Sequence, residues 1–331
     1  MQNRLALLGA VLIPALLAPL AAQQQKPRQP AENQEEPTFK LDVDLVNILF
    51  SVRNKQGRLI PDLSRDDFTV TEEGKSEPIK YFARETNLPL TLGLLVDVSR
   101  SQENLIGEEK RAAADFFAKV LKDKDEAFLI SFGTDSELLQ DFTNSPKLLR
   151  AGLDQLQVQG GISGGLINPG PIPAKPRGTV MFEAVYLAAT EKMRGEVGRK
   201  ALVLITDGQD QGSRTKIGEA IEAAQKSDSI IYSIQFIDHR FYGGGFGFAG
   251  DGDLKRMSEE TGGRLFKVDR KHTLDDIFRE IQDEMRSQYA LGYSPENAAK
   301  DGTFRRIEIR TRDKDLHVQA RRGYYAMAAS K

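Results

Sequence analysis

Residues 91–101 read TLGLLVDVSRS. Thr91 to Val96 is a near-continuous apolar run of strand length, the pattern of a strand covered on both faces in a parallel sheet. The run stops at a carboxylate, Asp97, and two hydroxyls follow at alternate positions, Ser99 and Ser101. A second passage has the same build: ALVLITDG, residues 201–208, passes from an apolar run directly into Thr206-Asp207-Gly208.

Working outward, strand and helix patterns alternate from residue 88 to residue 287. Ala113, Phe116, Phe117, Val120 and Leu121 are spaced as one face of a helix. Ala127 to Phe132 predicts a strand, and Leu148 to Leu156 and Thr179 to Met193 predict helices. Ile230 to Ile237 predicts a further strand, and Ile217 to Ala224, Leu254 to Glu260 and Leu274 to Met285 further helices. Such alternation implies βαβ units with right-handed crossovers, hence an α/β, Rossmann-like doubly wound, mostly parallel sheet.

Both flanks read as β. Phe39, Leu41, Val43 and Leu45 alternate with polar residues, and the phase then slips by one to Val46, Ile48, Phe50 and Val52. A slip of one residue turns side chains to the opposite face, so a bulge or sheet crossover is expected near Leu45. Phe68 to Val70 leads into a strand, Glu72 to Lys75 turns, and Pro78 to Phe82 is expected to return. At the other end Tyr289, Leu291 and Tyr293 alternate, as do Ile307 and Ile309, and Leu316, Val318 and Ala320. Neither flank is large enough to bury a core alone. The expected organisation is residues 38–87 and 288–326 as two parts of one small β-sandwich, with residues 88–287 inserted between them.

Ligands of open α/β sheets bind beyond the carboxyl ends of the strands. Three segments bring oxygen donors there: Asp97-Val98-Ser99-Arg100-Ser101, Gly178-Thr179 at a helix start, and Thr206-Asp207-Gly208. Carboxylates and hydroxyls are hard donors suited to Mg²⁺, Mn²⁺ or Ca²⁺. The bland alternative makes Asp97 and Asp207 helix caps or turn residues.

Together the three segments resemble the metal-ion-dependent adhesion site of von Willebrand factor type A domains, over roughly residues 88–287. The resemblance implies that Asp97, Ser99, Ser101, Thr179 and Asp207 hold a divalent metal, Mg²⁺ or else Mn²⁺ or Ca²⁺. It further implies that an open coordination position takes an Asp or Glu carboxylate from a protein or peptide ligand. The flanking Asp66-Asp67-Phe68, Glu72 to Lys75 and Arg321 to Tyr324 resemble the related exported proteins abundant in acidobacteria.

Met1 to Ala22 reads as an export signal: Arg4 gives the positive start, Leu5 to Leu20 the apolar stretch, and Ala21-Ala22 a small-residue cut site. It is either cleaved or kept as an anchor, and the expected location is periplasmic or extracellular. Residues 23–37, QQQKPRQPAENQEEP, have the composition of a disordered linker. The chain contains no cysteine, which removes disulfides, thiolate metal sites and a cysteine nucleophile. With 46 basic against 48 acidic residues there is no surplus of positive charge to follow a phosphate backbone, which argues against nucleic acid as a partner.

Two functions compete: a non-enzymatic binding module that captures a carboxylate through a metal, and a metal-dependent hydrolase built on the same oxygens. The second needs a general base or a second metal. His239, His272 and His317 are scattered and belong to no metal or triad motif. Gly245 to Gly250 spells GxGxxG but follows no strand, and Asp251 and Asp253 crowd the following helix start, so it does not read as a nucleotide site. The glycine-rich stretch 160–170 is either a connector or a loop beside the metal.

Overall fold

The computed structural model describes residues 45–85, 88–159, 178–241 and 250–327. The signal and linker segments, the strand pattern from Phe39 to Val43, the glycine-rich stretch and Gly245 to Ala249 lie outside them.

The central layer is a six-stranded sheet. Its members are β5 (Leu90–Asp97), β6 (Glu126–Phe132), β7 (Ser136–Thr143), β8 (Arg199–Thr206), β9 (Ser229–Gln235) and β10 (Leu265–Lys267), in the order β10-β9-β8-β5-β6-β7. All neighbours are parallel except β7, which closes one edge antiparallel to β6. Every residue of β5 is buried because helices cover both faces. Leu92, Leu94 and Val96 pack on the side of α1 (Ile106–Val120), α2 (Pro146–Asp154) and α6 (Leu274–Arg286). Leu95 packs with Phe128, Leu202 and Leu204 on the side of α3 (Met181–Leu187), α4 (Ile217–Lys226) and α5 (Asp251–Thr261). Gly93 is required in this strand: a Cβ there would collide with the Phe128 ring and lie 2.7 Å from Leu202 Cδ2.

The helix expected from Thr179 starts later, at Met181, and its last six residues, Ala188–Met193, form a π-helical turn. The strands β7 and β10 carry no clear period in the sequence and add to the elements that the sequence predicts.

The flanks form two antiparallel sheets. One contains β1 (Val46–Asn54), β4 (Tyr81–Glu85), β11 (Gln288–Tyr293) and β13 (Leu316–Ala320), in the order β13-β1-β11-β4. The other contains β2 (Phe68–Glu72), β3 (Lys75–Glu77), β12 (Phe304–Thr311) and β14 (Gly323–Tyr325), in the order β14-β12-β2-β3. The register sets Ile48 opposite Leu291 and Val70 opposite Ile309. Residues from both sheets share one core, in which Phe50 stacks on Tyr289 at 5.4 Å between ring centroids and meets Phe68 edge-on at 5.1 Å. The segment Pro78 to Phe82 does not return beside β2 as expected. Pro78 follows the end of β3, and the chain crosses to the opposite sheet, where β4 pairs with β11. Among the described residues no helix is long and apolar enough to cross a membrane.

Candidate metal site

The strand order places the site. From β5 the chain builds outward to β6 and β7, then returns to the other flank of β5 for β8, β9 and β10. The crevice between the carboxyl ends of β5 and β8 is therefore the point where the winding reverses, the preferred ligand position in this architecture. Asp97 is the last residue of β5 and Asp207 follows the last residue of β8.

Hydrogen bonds tie four of the five sequence-predicted residues into one chain. Asp97 Oδ1 accepts the Ser99 backbone N–H at 2.8 Å. The Ser99 and Ser101 hydroxyls lie 3.0 Å apart. Ser101 Oγ donates to Asp207 Oδ2 at 2.6 Å. The other oxygen of each acid is held as well: Thr206 Oγ1 donates to Asp97 Oδ2 at 2.6 Å, and the Gln209 N–H to Asp207 Oδ1 at 3.0 Å. Thr179 sits on the adjoining loop, anchored through its backbone: its carbonyl accepts the N–H groups of Gln211 at 3.1 Å and Gly212 at 3.0 Å. The next residue, Val180, donates its N–H to Gly133, just beyond β6. Thus the structure gathers all three loops at one end of the sheet, with Asp97, Ser99, Ser101 and Asp207 linked by hydrogen bonds and the Thr179 backbone tied to the loop that follows Asp207.

Three residues outside the expected set complete the floor. Glu109, on α1, is fully buried, and its Oε2 has no hydrogen-bond partner. Gln102 is also fully buried. In the amide orientation that satisfies both of its ends, Nε2 donates to Glu109 Oε1 and Oε1 accepts the Asp207 N–H, each at 3.3 Å. Gln235 donates to the Asp207 carbonyl at 3.2 Å and to Asp251 Oδ1 at 2.5 Å, joining the third loop to the start of α5. Glu109 was legible in the sequence: it continues the apolar stripe of Ala112, Ala113, Phe116 and Phe117, where a charge has no reason to sit unless something behind the helix needs it.

The electrostatics ask for a cation. Burial, then the neighbouring Asp207, push the Asp97 carboxyl up to about 7, against the lowering effect of its hydrogen bonds from Thr206 and Ser99. Burial first, then Asp97, Glu108 and Asp207, hold Glu109 well above the usual carboxylate range. Three buried acids with one orphaned oxygen are an arrangement that a divalent ion would relieve. Among the described residues no three His, Cys, Asp or Glu side chains converge as a metal-binding group. The donors at hand are two carboxylates and three hydroxyls, which fit a hard ion rather than a soft one.

Residues 170–280 match the family model of the von Willebrand factor type A domain, a span that includes Thr179 and Asp207. Among solved structures, the chain is similar to the conserved hypothetical protein BatB from Bacteroides thetaiotaomicron, with 18% identity over 60% of this chain and 99% of that one, at a TM-score of 0.44. It is similar to an aerotolerance-related membrane protein from Bacteroides fragilis, with 17% identity over 59% of this chain and 98% of that one, at a TM-score of 0.43. It is also similar to proximal thread matrix protein 1 of the mussel byssus, solved with a zinc-occupied MIDAS motif. The identity there is 14% over 63% of this chain and 48% of that one, at a TM-score of 0.46. A search of curated proteins found no match. The match to the von Willebrand factor type A domain thus falls on residues 170–280, within a mostly parallel sheet flanked by helices.

Proposed function

We propose that this is an exported, non-enzymatic binding protein. In this reading Asp97, Ser99, Ser101, Thr179 and Asp207 hold a divalent cation, Mg²⁺ in the first instance and Mn²⁺ or Ca²⁺ as alternatives. The bound ion supplies a Lewis-acidic position for an Asp or Glu carboxylate of a protein or peptide partner. The observation that carries the reading is the hydrogen-bonded chain from Asp97 through Ser99 and Ser101 to Asp207, set at the winding reversal of the sheet. Thr206 and Gln209 orient the two acids, and Gln102 ties the Asp207 backbone to Glu109. Two of the three histidines are engaged elsewhere: His272 contacts Glu280, and His317 faces Arg53 across the β1–β13 pairing. We also propose that the chain divides into a sandwich made of residues 38–87 and 288–326 and a binding domain of residues 88–287, delivered by the signal at residues 1–22.

Calorimetric titration tests the metal. Mg²⁺ or Mn²⁺ binds the parent protein, Asp97→Ala abolishes binding, and Thr179→Ala, which removes one neutral oxygen, weakens it. Unchanged affinity in a folded Asp97→Ala protein would show that the site is misassigned. A metal-dependent pull-down from the envelope fraction, repeated with chelator, tests the partner class.

A further inference from the structure

At the opposite end of β8 from Asp207 lies a cleft that the metal site does not use. Lys200 is the second residue of β8, six strand positions before Thr206. At the usual rise the two ends are roughly 20 Å apart. Two adjoining cavities of 470 and 640 Å³ meet here, sharing Arg194, Lys226 and Met327 as a common wall. Each falls within the size range of small-molecule sites, about 300–1,000 Å³.

The lining has a surplus of positive charge. Lys226 pairs with Glu222 at 2.6 Å, and Arg321 pairs with Asp228. Arg194, Lys200 and Arg214 also line the cleft, and among the described residues none of them has a carboxylate within ion-pair distance. Lys200 is 7% exposed, and its ammonium donates only to the carbonyls of Glu196 at 3.0 Å and Met193 at 3.4 Å. An ammonium has three donors, so one remains. Asp228 and Glu196 favour the Lys200 charge from a distance, but burial outweighs them, and an anion in the cleft would offset that cost. Tyr186, Tyr324, Tyr325 and Met327 supply apolar and aromatic surface, and polar side chains with the Glu219 carboxylate line the rest.

We propose that this cleft is a second ligand site, for a phosphate monoester carrying an apolar ring or chain. Arg194 lines both cavities, with Lys200 in the first and Arg214 in the second, so each offers a dianionic phosphate two cations without carboxylate partners, and an arginine's planar fork fits phosphate oxygens in pairs. The tyrosines and Met327 receive the apolar substituent.

Phenyl phosphate is the probe, titrated by calorimetry and followed by protein NMR. Saturable one-to-one binding is expected, stronger than for inorganic phosphate, which lacks the ring. The double variant Arg194→Ala/Arg214→Ala, both positions being exposed, stays folded and loses about tenfold or more in affinity. Asp97→Ala leaves phenyl phosphate binding unchanged, which separates this site from the metal site: either can fail without the other. Absence of saturable binding, or undiminished binding in the double variant, overturns the proposal. Equal affinity for phenyl sulfate or benzoate overturns the phosphate assignment.

Discussion

The carboxylate of Glu284 on α6 receives Arg53 of β1 at 2.5 Å, and so fastens a helix of the α/β layer to the flanking antiparallel sheet through a pair that is 1% and 13% exposed. Arg264 reaches the same carboxylate at 3.2 Å, Ser51 Oγ at 3.1 Å and the Tyr232 hydroxyl at 3.4 Å. One acid thus gathers donors from β1, from β9 and from the turn before β10. Its charge is matched by two guanidinium groups, and Arg53 Nε already lacks a partner. Removing the acid strands a buried cation, a change that costs about 3–5 kcal/mol in comparable buried pairs. Glu284→Ala is therefore expected to lower the denaturation midpoint strongly, and Glu284→Gln less, since the amide oxygen still accepts one bond. Chemical denaturation monitored by circular dichroism checks this, and a change under about 1 kcal/mol would show that the pair is dispensable.

Addition of metal is expected to raise the melting temperature. Binding to the folded state alone stabilises by about 2.7 kcal/mol when the free ion is at a hundred times its dissociation constant. For a chain of this size that is a shift of several degrees, at ~2–4 °C per kcal/mol. Asp97→Ala and Asp207→Ala remove the shift, and Ser99→Ala reduces it. Differential scanning fluorimetry with Mg²⁺, Mn²⁺ and Ca²⁺ in turn reads both the effect and the ion preference.

Glu109 gives a pH-dependent prediction. Its folded-state pKa is raised by burial and by Asp97, Glu108 and Asp207. As pH rises from the ordinary carboxylate range toward that raised value, the unfolded chain gives up its proton first, so this residue makes the fold progressively less stable. The loss is absent below the ordinary range and complete above the raised pKa. Glu109→Gln removes the titration. It is expected to raise the melting temperature of the metal-free protein at pH 7, with a gain that shrinks to nothing as pH falls through the carboxylate range. Because it also removes a negative charge facing the site, the metal-induced shift should shrink severalfold. Melting curves between pH 4 and 8, with and without metal, test both statements.

The legible parts of the sequence are those where one physical requirement acts alone. β5 and β8 read correctly because burial on both faces demands apolar residues throughout. The candidate metal residues could be picked out because oxygen donors directly after such strands stand out. Ser136–Thr143 gives no such signal: it is an edge strand with much of its surface in solvent, and Leu138 is 44% exposed. Leu265–Lys267 and Gly323–Tyr325 are three residues each, too short for a period to show. The crossing between β3 and β4 depends on which partner strand is available, and that is decided by β11, more than two hundred positions away. Glu109 and Gln102 act through the tertiary fold, and only the misplaced charge on an apolar helix face marks the first of them.

The last prediction concerns the backbone that carries Asp207. Gly208 has φ +93°, in the left-handed region that side chains avoid, and a Cβ there would lie 2.9 Å from Leu254 Cδ1 and 3.1 Å from Gly250 Cα. Gly250, the residue before α5, is packed as closely in return: a Cβ on it would collide with the Gly208 carbonyl. The loop that carries Asp207 and the start of α5 therefore approach each other through two glycines, with Gln235 bridging them. Gly208→Ala must either hold a left-handed alanine, at about 1–3 kcal/mol, or shift the loop and with it the Asp207 carboxylate. Either response is expected to weaken metal binding while the sheet core stays intact. Gly218→Ala is the control, because that position lies in α4 with nothing within 4 Å of a new Cβ. There the substitution is expected to stabilise by up to about 1 kcal/mol and leave metal affinity as it was. Equal metal affinity in the two variants would mean that the loop geometry set by Gly208 does not position Asp207 for the ion.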